Sequence, residues 1–92
     1  MIERHGRVDV IRGDVAVSGS FHLVIDETST PPSARGTARI FDRPHEVHRA
    51  LAVERVLLCL DGHVEIEVEV TVYVPGASFF AFICRDVSAL LP

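Results

Sequence analysis

Glu65, Glu67 and Glu69 stand two residues apart in the run His63 to Val74, HVEIEVEVTVYV. On one face of a β-strand, positions two apart lie ~7 Å from each other, from a rise of ~3.3 Å per residue. Carboxylates at that spacing can divide the roles of general acid and general base. An enzyme built on this chain would use Glu65 and Glu67, with His22 as a further proton carrier. The plainer reading makes the row a solvated face that guards a strand against edge aggregation, and it predicts no catalytic residue.

His45 and His48 are three apart, and Cys59 and His63 are four apart. On a helix, His-x-x-His presents both imidazoles to one metal, and a Cys or His completes a tetrahedral zinc site. On a hairpin, Cys59 and His63 fall on opposite faces. The four are therefore weak metal candidates, and neither a metal nor another cofactor is expected. Arg12-Gly13-Asp14 spells a cell-adhesion tripeptide but reads as a glycine turn between charges. Ser20 and His22 share a face with Asp14, Ser18 and Asp26. Neighbours on one strand do not give the geometry of a nucleophile, base and oxyanion hole. Arg55 and Arg85, with Tyr73 and Arg39, could receive an anionic ligand at a barrel mouth. The plainer alternative pairs Arg85 with Glu65 or Glu67. The chain has no Gly-rich phosphate loop, dinucleotide fingerprint or Cys-x-x-Cys.

These residues need strands to position them. From Val64 to Val74, valine and isoleucine alternate strictly with polar residues, the signature of a half-buried strand. Asp61-Gly62 precedes it and suits a two-residue type I′ turn, in which both positions need φ > 0. That turn sets Cys59 opposite Val64, Leu57 opposite Ile66 and Arg55 opposite Val68. Arg55 then enters the apolar face and Glu54 meets Glu69, a like-charge pair that costs stability. A bulge near Glu54-Arg55 would relieve both. The rival reading makes His45 to Leu60 a helix, capped by Asp42 and stopped by Gly62.

Asp14 to Asp26 (DVAVSGSFHLVID) also alternates, with Val15, Val17, Gly19, Phe21, Leu23 and Ile25 on one face. Gly19 marks a bend. Arg7 to Arg12 and Gly36 to Asp42 read as shorter strands, and Met1 to Gly6 as a loose or edge-pairing start. Glu27 to Arg35 (ETSTPPSAR) reads as a flexible Pro-rich loop. Ser78 to Arg85 (SFFAFICR) is apolar without alternation, so a strand there is covered on both faces, by a sheet, a helix or a subunit. Asp86 to Pro92 is an apolar tail that needs cover. The whole reads as a single domain over residues 1–92. It is mainly β, a small antiparallel barrel or sandwich of about six strands. The alternative is an α+β fold, a curved antiparallel sheet packed on one helix over about 43–60.

The chain has 92 residues, 48% of them hydrophobic. A domain this small has little interior for so much apolar surface. The excess predicts either a subunit interface, centred on Phe79, Phe80 and Phe82, or an apolar cavity. The net charge is −4, which argues against nucleic acid. All nine basic residues are Arg, as GC-rich coding favours. Two cysteines make no disulfide scaffold. No stretch reads as a signal peptide or reaches the ~18–20 apolar residues of a membrane span, so a cytoplasmic protein is expected. The first expectation for function is a non-catalytic domain that self-associates, most simply as a homodimer, and acts through binding or assembly. The second is a barrel enzyme or carrier that holds an apolar small molecule, with carboxylates in its lumen.

Overall fold

Six strands form and close on one another. The computed structural model describes residues 1–12, 15–41, 55–74 and 78–90. They contain β1 (Ile2–Arg12), β2 (Val15–Asp26), β3 (Ser33–Ile40), β4 (Arg55–Leu60), β5 (Val64–Val74) and β6 (Phe79–Cys84). The order around the closed barrel is β1-β2-β3-β6-β5-β4, and every neighbouring pair is antiparallel. The barrel is thus two three-stranded meanders, β1-β2-β3 and β4-β5-β6. They are sealed along β1–β4 and β3–β6.

The inward positions are apolar on every strand. Val8 and Val10 come from β1, Val17, Phe21, Leu23 and Ile25 from β2, and Ala34, Ala38 and Ile40 from β3. Val56, Leu58, Leu60, Ile66, Val68, Phe80, Phe82 and Cys84 complete the ring, all buried. Burying each large side chain stabilises the fold by about 1.5–3 kcal/mol. Two glycines let the wall curve. A Cβ at Gly19 would overlap the Arg39 carbonyl, and one at Gly36 would overlap the His22 carbonyl and Leu23. The apolar tail also finds cover, because Val87 and Leu90 join the core beyond the end of β6. There the Leu90 N–H donates to the Val87 carbonyl at 2.9 Å.

The structure corrects several expectations. Residues 55–60 are strand, not helix, because Val56, Leu58 and Leu60 alternate into the core. The rest of the proposed helix, 43–54, lies outside the described residues, as do Gly13 and Asp14. β1 starts at Ile2, not Arg7, since long β2 pairs with it from Ile25 onward. β3 starts at Ser33, so the Pro-rich loop ends at Pro32, and a buried Ala34 explains the shift. At the start of that loop the Asp26 carboxylate accepts the Thr28 N–H at 3.0 Å and the Thr28 hydroxyl at 2.7 Å.

The central hairpin differs by one residue. Asp61 and Gly62 do take positive φ, 53° and 82°, and the His63 N–H closes the turn on the Leu60 carbonyl at 3.2 Å. His63 is then an extra residue, because Val64, not His63, pairs with Leu60. Leu58 faces Ile66, Val56 faces Val68 and Arg55 faces Glu69. A one-residue slip exchanges the two faces of a strand, and here it moves Arg55 out and sets it against an acid. For Arg55 the relief comes from the shift at the turn, while Glu54 lies outside the described residues.

Candidate interaction surface

With apolar side chains at the inward positions, the polar side chains of the described strands lie on the outer wall. The antiparallel registers align outward residues into rows that run across the strands. One row is Val24, Arg35, Ile83, Glu69 and Arg55, from β2, β3, β6, β5 and β4. The next is His22, Thr37, Ala81 and Val72. β5 and β6 lose step between these rows. Glu69 and Val70 face Ile83 and Phe82, Thr71 is passed over, and Val72 faces Ala81. The bulge at Thr71 turns Val72 outward, where it is 53% exposed. Strict alternation predicted Val72 inside; the extra residue exchanges the faces beyond it. Tyr73 packs against the core instead.

β6 resolves its lack of alternation into two apolar faces. Phe80 and Phe82 are 0% and 1% exposed, with ring centroids 5.9 Å apart inside the barrel. They are core residues of one chain, so of the three phenylalanines assigned to an interface only Phe79 faces outward. Phe79, Ala81 and Ile83 form a half-buried apolar stripe along the outside of β6. Beside it lies a groove of about 450 Å³, walled by Val24, Thr37, Ala81 and Ile83, with His22 and Arg35 at its rim.

The carboxylates expected in a lumen stand on the outside of β5, and Glu65, Glu67 and Glu69 are all exposed. His22 lies three strands away on β2, ~14 Å off at ~4.8 Å per strand. It sits 3.1 Å from Glu3 Oε1. Glu65, Glu67 and His22 therefore do not converge. Nor do Ser20, His22 and Asp26. The Ser18 hydroxyl donates to Asp9 Oδ1 at 2.8 Å, and Arg7 Nη2 donates to Ser18 at 3.3 Å.

Arg55 and Arg85 are likewise outside. Arg55 Nη1 donates to Glu67 Oε1 at 3.3 Å, and Arg85 Nε donates to Glu69 Oε2 at 3.3 Å. Both pairs are exposed and contribute little stability, but an anion would have to displace the carboxylates. Tyr73 is four residues along β5 from Glu69, ~13 Å by strand rise, and does not join the two arginines. Arg35 and Arg39, on the exposed side of β3, have no carboxylate partner among the described residues.

His45 and His48 lie outside the described residues. Cys59 is half-buried on β4 and His63 sits in the turn. No group of three or more metal-ligating side chains occurs among the described residues. Both cysteines are free. Burial pushes the Cys84 thiol up from its ordinary value, and its S–H reaches the Asp86 carbonyl at 3.1 Å. No helix of the described residues is long and apolar enough to cross a membrane.

Sequence reasoning missed Arg35, Val72, Ala81 and Ile83 as surface-defining residues. A signal existed for two of them, because the unalternating SFFAFICR run announces apolar residues on both faces. Val72 carried no such signal. No protein-family model, curated protein or solved structure matches this chain.

Proposed function

We propose that this chain is a small non-catalytic β-barrel domain that self-associates and acts through binding or assembly on its outer wall. The observation that carries the reading is the division of apolar residues at β6. One set, Phe80 and Phe82, fills the interior, and a second set, Phe79, Ala81 and Ile83, remains on the outer wall. A carrier would need interior room for its ligand, and the inward positions here are occupied by packed side chains. Along its sealed seams the barrel offers no free strand edge, although β1 pairs with β4 only from Val8 to Ile11.

Sedimentation velocity over a concentration series, with native mass spectrometry, tests this reading. A mass-action rise from monomer to a discrete oligomer, without bound small molecule, is the expected result. A monomer at every concentration that carries a stoichiometric small molecule would reverse it in favour of the carrier.

A further inference from the structure

We infer that the occupant of the β3-β6-β5 face is a second copy of this chain, related by a twofold axis running along β6. The inference rests on the self-association proposed above and names its surface and geometry. Across this face the character of the wall changes in order: Arg35 on β3, Ile83 on β6, Glu69 on β5. A twofold axis in the plane between two such faces, parallel to β6, exchanges left and right and keeps height. It lays β3 of one copy over β5 of the other. Arg35 then meets the second copy's Glu69, and the same pair forms again on the other side of the axis.

The next row fits under the same operation. Thr37, Ala81 and Val72 share one height. Val72 of one copy therefore comes down beside Thr37 of the other, at the groove walled by Thr37, Ala81 and Val24. An aliphatic side chain pushed out by a bulge and an apolar groove at its height are complementary only in this orientation. Turning the axis by a right angle would lay β3 over β3, so the side that carries Arg35 and Arg39 would face its own copy. Like charges then face each other, which disfavours that arrangement. The wall of a barrel is convex, so β3 and β5 fall away from the contact line. Small Ala81 lets the two β6 strands approach, and the long side chains of Arg35 and Glu69 span the widening gap. Glu69 already accepts from Arg85, and a carboxylate with two oxygens can accept from both guanidiniums.

The test uses the whole chain and three variants, Arg35→Glu, Glu69→Arg and Val72→Asp, with circular dichroism as the check of folding. All three sites are exposed, so the barrel is expected to keep its fold. Wild type should dimerise, and each single variant should associate about tenfold more weakly or worse, because each reversal acts twice in a symmetric dimer. Mixing Arg35→Glu with Glu69→Arg should restore a one-to-one dimer, since both cross-pairs are then opposite in charge. A folding defect could not produce that rescue. A dimeric wild type whose constant none of the variants moves overturns this surface and leaves self-association standing. Weakened single variants without rescue on mixing overturn the Arg35–Glu69 pairing. A wild type that stays monomeric overturns both proposals.

Discussion

β1 and β2 pair through eleven successive residues without interruption, from Ile2–Ile25 to Arg12–Val15. β5 and β6 pair through a shorter ladder that loses step at Thr71. On the regular ladder, alternation translates directly into faces: Val17, Phe21, Leu23 and Ile25 are all buried. On the broken one the same alternation stops holding partway, and two valines four residues apart, Val68 and Val72, end on opposite sides of the wall. The regular ladder builds interior. The irregular one hands the inward place from Val70 to Tyr73, which packs against the core, and so releases Val72 to the surface.

The largest effects should separate interior from surface. Phe80→Ala should cost about 3–5 kcal/mol in urea unfolding, as for a fully buried ring. Val68→Ala should cost about 2 kcal/mol, and Val72→Ala should stay within about 0.5 kcal/mol. Equal losses at Val68 and Val72 would mean that the bulge does not form and the two ladders are alike. A middle-sized effect is expected at a close approach of β2 and β3. Gly36→Ala drives a methyl into the His22 carbonyl and Leu23, and should destabilise by about 1–3 kcal/mol. A neutral result would show that the wall there has slack.

The smallest effect belongs to the end of β2. Hydrogen bonds from the Thr28 hydroxyl and N–H hold the Asp26 carboxyl below its ordinary value of 3.8. A group lowered in the folded state contributes stability above its unfolded value, and that contribution is lost as pH falls through the lower folded value. Thr28→Val removes the hydroxyl, so the Asp26 midpoint should rise towards 3.8 in a carbon-13 carboxyl titration. Acid unfolding of the variant should then depend less steeply on pH in that range. An unmoved midpoint would leave the loop's hydrogen bonds without effect on the carboxylate.

Strand identity was readable because alternation of β-branched residues is local information. The all-β barrel and the inward set of β2 follow from it, and the double apolar face of β6 follows from its absence there. What could not be read is where one residue is added. His63 follows an Asp-Gly pair that makes the expected turn, yet it adds a place to the register and reverses the faces of β4. Thr71 is an ordinary strand residue by type, and nothing in its neighbours marks a bulge. Neither extra residue is marked by its type, and each appears only once the strands are paired. The outer surface inherits this difficulty, because Val72 becomes part of it only through Thr71. Arg55 and Arg85 were found as charged residues, but their partners Glu67 and Glu69 emerge only from the corrected register.

The two seams give the barrel a sequence of events as well as a shape. Within each meander, every strand pairs with its neighbour in the chain, and such contacts need only short loops to close. The β1–β4 seam instead joins Val8–Ile11 to Leu57–Leu60, segments from opposite halves of the chain, and it does so over four positions. Contacts between distant segments contribute only after a large loss of chain freedom, so they slow folding. This topology favours assembly of the two halves before closure of the ring. Until it shuts, Val8, Val10, Leu58 and Leu60 and two strand edges are open together, and that interval is when the chain is most exposed to wrong partners.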